Sequence, residues 1–237
     1  MLTLLGLGFA LGIRHALEAD HMAAVASLAL RSRSVSHTIR QGLAWGVGHT
    51  MTLLIFSSVV LILGTVIPEQ FAEGLECAVG VMLIGLGFDV LRRMWKQRIH
   101  FHIHQHPDEP PHFHAHAHHT KDNHATPMAH AHTHPRGFPY RALLVGLMHG
   151  MAGSAALIVL TLQTAISPSE AIIYILLFGL GSTLGMGLFS LVMAIPLWYS
   201  PRSLTWLHQG IQMSVGIFTT LLGLFVIYQH SSSWLYG

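Results

Sequence analysis

A short polar segment near the N terminus holds many of the side chains in this sequence that could carry out chemistry. Residues 14–21 read Arg-His-Ala-Leu-Glu-Ala-Asp-His, with apolar stretches on both sides. Imidazole and carboxylate donors without a thiolate suit divalent transition metals such as Ni²⁺, Co²⁺ and Zn²⁺. In a membrane segment each charged residue costs at least ~2.5 kcal/mol at mid-bilayer, so such a cluster indicates a functional site. We expect His15, Asp20 and His21 to bind a metal ion.

The spacing of these residues constrains the backbone. In a regular helix His15 and His21 lie ~9 Å apart along the axis, too far to share one ion at ~2.1 Å, and Asp20 points away from both. Either the helix is unwound through this segment, or each ligand joins a different partner. We favour an unwound or broken helix, in which Arg14 pairs with Glu18 or Asp20.

Two further histidines lie within apolar segments, His49 in Gly-His-Thr and His149 in Met-His-Gly. Each could complete the metal shell begun by the first three ligands. A lone histidine in a membrane helix also commonly hydrogen-bonds to a neighbouring helix, so a packing role is the alternative for both. The sequence therefore predicts a metal site of His15, Asp20 and His21, completed by His49 and His149.

The overall composition indicates an integral membrane protein. Of the 237 residues, 51% are hydrophobic and 9% are charged, against about 25% charged in ordinary soluble domains. So few charges cannot cover a water-facing surface. The single cysteine, Cys77, excludes an intramolecular disulfide and a thiolate-based metal site. The N-terminal apolar stretch lacks a basic region and a cleavage site, so we expect it to be retained.

Hydropathy and charge predict an all-α fold with six membrane-spanning helices. Every Lys and Arg except Arg14 falls in alternate connections between these spans. By the positive-inside rule, this pattern places both termini outside and the long third connection in the cytoplasm of a multi-pass cell-membrane protein. The six predicted spans cover roughly residues 1–30, 41–67, 73–95, 141–166, 170–197 and 209–229.

Three short segments of the first half recur in the same order in the second half. A unit of three spans turns its second copy upside down, so the pattern predicts two inverted repeats, residues 1–96 and 141–237, whose interface holds the metal site. Alternatively, the shared small residues only mark close helix packing. The matching segments are Gly-x-x-His at 12 and 146, Gly-x-Gly at 46 and 179, and Val-Gly-Val at 79 with Val-Gly-Ile at 215.

Residues 97–140, between the third and fourth spans, have a different composition. Prolines and a lack of aliphatic residues exclude a packed core, so we expect a disordered loop. Its neutral imidazoles could buffer or exchange metal ions in the cytoplasm, or the tract could have no essential role in transport. The thirteen histidines of this loop are His100, His102, His104, His106, His112, His114, His116, His118, His119, His124, His130, His132 and His134.

The polar segment resembles the Arg-His-Ala-[Val/Phe]-Asp-Ala-Asp-His signature of the nickel/cobalt transporter (NiCoT) superfamily, with Glu18 in place of an aspartate. Residues 48–50 resemble the family's Leu-Gly-His-[Ser/Thr] element. Residues 146–155 resemble the Gly-Leu-x-His-Gly-x-Ala-Gly-Ser-Ala element of its short six-span branch, which includes urease-accessory nickel permeases. Longer members of the superfamily carry the signature in their second helix. They also have a further element to which residues 86–89 are only weakly similar. The resemblance implies transport of Ni²⁺ or Co²⁺, with uptake favoured over efflux.

We therefore expect a carrier with Ni²⁺ or Co²⁺ as its cargo and no organic cofactor, with Arg14 and Glu18 as ion-pairing residues around the site. Its partners would be the lipid bilayer, the divalent ion and cytoplasmic metallochaperones, and not nucleic acid. An intramembrane metalloenzyme with a histidine cluster is the alternative from another class. The loop histidines alternate in a proline-rich tract and do not follow helical spacing beside the spans, which speaks against an enzyme.

Overall fold

The computed structural model describes residues 2–32, 34–64, 68–96, 99–104, 112–117, 138–152, 167–199 and 205–236. These residues form seven helices and one two-stranded hairpin. In chain order the elements are α1 (Leu2–His15), α2 (Ala19–Ala29), α3 (Val35–Leu63), α4 (Glu69–Lys96), β1 (Ile99–His104), β2 (His112–Ala117), α5 (Tyr140–Ala152), α6 (Pro168–Tyr199) and α7 (Thr205–Tyr236).

Four of the described helices, α3, α4, α6 and α7, are long and apolar enough to cross a membrane. The prediction of a multi-pass helical membrane protein is therefore confirmed. The first predicted span is two shorter helices, α1 and α2, because the backbone leaves the helical path between them. Of the fourth predicted span, the structure describes only the part that lies in α5. Six crossings therefore stay a prediction.

Small residues mark the places where the helices cross. Gly8 of α1 lies against Tyr174 of α6, and Ala16 at the end of this crossing lies against Gly185, so the two helices run parallel. In the same way α5 runs parallel to α3. Between helices surrounded by lipid the hydrophobic effect supplies little attraction, so close backbone contact at small residues provides the packing energy.

The helices α4 and α7 form an antiparallel pair through facing glycines. Gly80 faces Gly223, and Gly87 faces Gly216, so the chains run in opposite directions. A Cβ atom on Gly80 would lie 2.8 Å from the carbonyl oxygen of Gly223. Glycine is therefore needed at these positions for the backbones to approach so closely.

The short helix α2 is buried along most of its length and is tied to its neighbours. The hydroxyls of Ser27 and Thr219 hydrogen-bond at 3.1 Å and join α2 to α7. Apolar side chains of α2 pack with Trp45 of α3 in the largest apolar cluster of the described residues. These contacts fix the first turn of α2, which carries Asp20 and His21.

The histidine-rich connection contains an antiparallel hairpin of β1 and β2. For these two segments the prediction of disorder is wrong. Histidines there alternate with Ile, Phe or Ala, and apolar alternation with a period of two is typical of a strand. The register pairs His100 with His116, His102 with His114 and His104 with His112. The other histidines of the loop, His106, His118, His119, His124, His130, His132 and His134, lie outside the described residues.

Candidate metal site

The polar segment lies at a break between two helices. Helix α1 ends at His15 and α2 begins at Ala19. Within the break the N–H of Leu17 donates to the carbonyl of Arg14 at 3.0 Å, a tighter turn than that of an α-helix, and Glu18 is extended (φ −68°, ψ 150°). The break changes the direction of the chain between the two histidine positions. Of the two alternatives left by the spacing, the structure has the broken helix.

The break brings together five side chains that the sequence singled out, and we call them the His–Asp cluster. His21 lies at its centre, with ring-centroid distances of 4.4 Å to His15, 5.1 Å to His49 and 4.1 Å to His149. Helices α1, α2, α3 and α5 each contribute at least one member. The members are His15, Asp20, His21, His49 and His149.

One group of potential ligands consists of imidazoles alone. His15, His21 and His49 offer nitrogen atoms that all lie within 4.8 Å of one another. The Nε2 atoms of His15 and His49 are 3.2 Å apart. Two nitrogens bound to one tetrahedral ion at ~2.1 Å are separated by about 3.4 Å. The pair is therefore spaced as two ligands of one ion would be.

A second group contains the carboxylate. Donor atoms of Asp20, His21 and His149 also lie within 4.8 Å of one another. Asp20 Oδ1 is 3.0 Å from His21 Nδ1, and Oδ2 is 2.9 Å from His149 Nε2. Oδ1 also accepts the backbone N–H of His21 at 2.8 Å. The carboxylate thus holds both imidazoles in place and adds a negative charge that attracts a cation.

Three ring nitrogens of the cluster are buried without a hydrogen-bond partner. They are Nε2 of His21, Nδ1 of His49 and Nδ1 of His149. Each of these side chains is at most 3% exposed. Buried polar atoms of folded proteins nearly always have a partner, and an orphan in a native structure requires an explanation such as an ion. A cation bound by one of these nitrogens would give that nitrogen its missing partner.

The acidic side chain at the break supports His15 from outside the cluster. Glu18 Oε2 lies 3.0 Å from His15 Nδ1, and the Glu18 side chain is 55% exposed. A carboxylate at Nδ1 holds the proton there, which leaves Nε2 free to bind a metal. The predicted pairing of Arg14 with Glu18 or Asp20 is wrong: Arg14 is exposed and makes no ion pair with any described residue, because both carboxylates face histidines.

Aromatic rings enclose the cluster on two sides. The Trp45 ring lies 6.1 Å from the ring of His21 at an interplanar angle of 15°, and 5.6 Å from that of His149. Phe178 of α6 lies 5.2 Å from His15. Sequence reasoning missed both aromatic residues. The signal for Trp45 was present, since it precedes His49 by four residues and so shares its face of α3.

Other polar residues fall outside the cluster. Asp89 forms a 2.9 Å ion pair with Arg93 and lies 3.6 Å from Arg31. His37 accepts or donates a hydrogen bond with Ser32 at the start of α3. The cysteine, Cys77, is free. None of these residues approaches the His–Asp cluster within bonding distance in the part of the chain that the structure describes.

Comparison with known proteins gives two matches to the same class. The model of the NicO family, described as a high-affinity nickel-transport protein, matches residues 1–229. The chain is also 33% identical over 231 residues to the urease accessory protein UreH of Bacillus sp. (strain TB-90), which covers 96% of this chain and 92% of that protein. No solved structure matches the chain.

Proposed function

We propose, for a chain that belongs to the NicO family of high-affinity nickel-transport proteins, that Ni²⁺ crosses the membrane through the His–Asp cluster. Membership of this family makes the protein a nickel transporter and not an enzyme. The cluster supplies nitrogen and oxygen donors in a buried position, where a divalent cation offsets the cost of removing them from water. Co²⁺ prefers the same kinds of donor, so we include it as a possible cargo.

The observation that carries this proposal is the convergence of the five donors on the helix break. They come from four helices, yet each belongs to one of two groups of donors that share His21. The two three-residue groups each have the spacing of metal ligands, and three of the nitrogens have no other partner. In each of His21, His49 and His149 one ring nitrogen has a hydrogen-bond partner and the other does not, whereas a packing role alone would favour partners for both.

We also propose that the two halves form inverted repeats with six crossings. The helix contacts support this, because they recur when the halves are exchanged. Gly46 of α3 lies against Thr183, and the equivalent Gly179 of α6 lies against Thr50. The parallel pair α1 and α6 likewise has its counterpart in the parallel pair α5 and α3. Rocking of the two halves about the cluster would expose the ion to each side in turn.

We propose a direction and a sidedness from the charge pattern and from the resemblance to urease-accessory permeases. Resemblance to urease-accessory permeases favours uptake, and efflux is the alternative. We place both termini outside the cell membrane and the histidine-rich loop in the cytoplasm, where metallochaperones could meet it. An impermeant thiol reagent applied to single-cysteine variants in the Cys77→Ser background would test this topology. The reagent should label Ser233→Cys in intact cells, and it should label Thr120→Cys only after permeabilisation. The reverse pattern of labelling would show that the topology is inverted.

For the loop we propose a metal buffer. The register of β1 and β2 places three pairs of histidines opposite each other, which supports pairwise binding of ions by neighbouring strands. Neutral imidazole binds several first-row metals, so the loop would not set selectivity. Deletion of residues 99–117 should lower the number of Ni²⁺ ions bound per chain and leave transport through the cluster. An unchanged number would remove this role.

The function is tested by Ni²⁺ flux into proteoliposomes. His21→Ala removes the central residue of the cluster and should reduce flux to the level of empty liposomes. His37→Ala is the matched control, because it removes a histidine of α3 that lies outside the cluster, and flux should be retained. Equal flux in wild type and His21→Ala would refute the proposed route.

A further inference from the structure

The five members of the His–Asp cluster do not form one shell. Their donor atoms fall into two groups of three, and within each group all atoms lie within 4.8 Å of one another. His15 and His49 belong only to the first group, and Asp20 and His149 belong only to the second. The rings of His49 and His149 are 5.9 Å apart.

His21 is the one residue that belongs to both groups. Its Nδ1 lies 3.0 Å from Asp20 Oδ1, inside the second group, and its Nε2 is buried without a partner. The ring lies almost as close to His15 as to His149, at 4.4 and 4.1 Å between centroids. An ion could therefore move from one group to the other beside the His21 ring, exchanging its ligands in steps.

The two groups differ in charge. The first consists of three imidazoles, which bind a metal in their neutral form. The second contains the Asp20 carboxylate and so carries a negative charge. Attraction between opposite charges is strong in a buried site, so a divalent cation at rest should occupy the second group. The neutral group binds more weakly and suits a transient position.

We infer that the cluster holds two overlapping binding positions for Ni²⁺, one formed by His15, His49 and His21 and one by Asp20, His149 and His21, and that the ion passes between them by ligand exchange around His21. This inference rests on the proposed function. A carrier gains from such an arrangement, because the ion is never fully released inside the protein and each step breaks only part of its ligand shell.

The number of imidazoles bound to nickel distinguishes two positions from one shell. X-ray absorption of the purified full-length protein with one equivalent of Ni²⁺ should show about two imidazole ligands in wild type, from His21 and His149. In His149→Ala the ion should move to the other position, and the count should rise to about three. If all the ligands formed a single shell, the number of imidazole ligands would instead fall from about four in wild type to about three in His149→Ala. That result would overturn the inference.

Binding affinity gives a second readout from the same proteins. His15→Ala should change the Ni²⁺ affinity less than about threefold, because it leaves the second position intact. His149→Ala should weaken binding by at least about 10-fold, because it removes a direct ligand and the loss of even an outer-shell partner typically costs about 10- to 100-fold. Similar losses in both variants would contradict two positions. The substitutions His15→Gln and His149→Gln provide the same comparison if either alanine variant fails to fold.

The outcomes separate this inference from the proposed function. Flux should fall in both His15→Ala and His149→Ala, since an ion must visit both positions to cross. If wild-type nickel has about four imidazole ligands while His21→Ala still abolishes flux, the route stands and the two positions do not. If His21→Ala leaves flux unchanged, the route itself fails. His37→Ala serves as the control in each measurement.

Discussion

At the scale of single residues, the state of each imidazole depends on its carboxylate. Glu18 faces Nδ1 of His15, and Asp20 faces His21 and His149. Each contact leaves another nitrogen of the same ring available for a metal. The types and spacing of His15, Asp20 and His21 favoured a metal site at a broken helix, and the positions of His49 and His149 within apolar segments made them candidates for the same site. The sequence did not predict which side chains pair with the carboxylates, because the turn at the break places Glu18 beside His15 and leaves Arg14 exposed.

Removal of the Glu18 charge should weaken metal binding without removing a ligand. In the His149→Ala background the ion occupies the position that contains His15. Adding Glu18→Gln there reduces the hold on His15 Nδ1, and we expect Ni²⁺ affinity to fall about 10-fold further, the lower end of the effect of such supporting contacts, since Glu18 is largely exposed. Isothermal titration calorimetry measures this change. Glu69→Gln in the same background, at the exposed start of α4, is the matched control. An affinity equal to that of His149→Ala alone would show that Glu18 does not support the site.

At the scale of elements, hydropathy predicted four spans that the structure has as long apolar helices. Hydropathy placed the first span as one element, and only the spacing of the candidate ligands within residues 14–21 favoured a break there. The hairpin was missed for a different reason. Prolines elsewhere in the loop suggested disorder for the whole segment, although residues 99–104 and 112–117 have the alternating pattern of strands.

The facing glycines of α4 and α7 should be essential for packing. Gly80→Ala would place a Cβ atom 2.8 Å from the carbonyl oxygen of Gly223, so the helices must separate. We expect a loss of stability of about 1–3 kcal/mol, as for other overpacked sites. Gly85→Ala is the control, because that position on the same helix has open space. Thermal unfolding in detergent compares the two, and equal midpoints would contradict close packing at Gly80.

At the scale of the whole molecule, helices from both halves of the chain meet at one polar cluster. The sequence matches at residues 12 and 146 and at 46 and 179 predicted a repeat, and the helix crossings support it. Sequence could not supply the tertiary contacts that bring His49 and His149 to His21, since these depend on how α3, α5 and α2 pack. The enclosing ring of Trp45 is a consequence of the same packing.

The location of bound nickel tests the account most directly. Crystals of the full-length protein grown with Ni²⁺ would give an anomalous-scattering peak at the nickel absorption edge. We predict a peak about 2.1 Å from a ring nitrogen of His21. Nickel bound only by the histidine-rich loop, with the cluster side chains hydrogen-bonded to one another, would contradict transport through the His–Asp cluster.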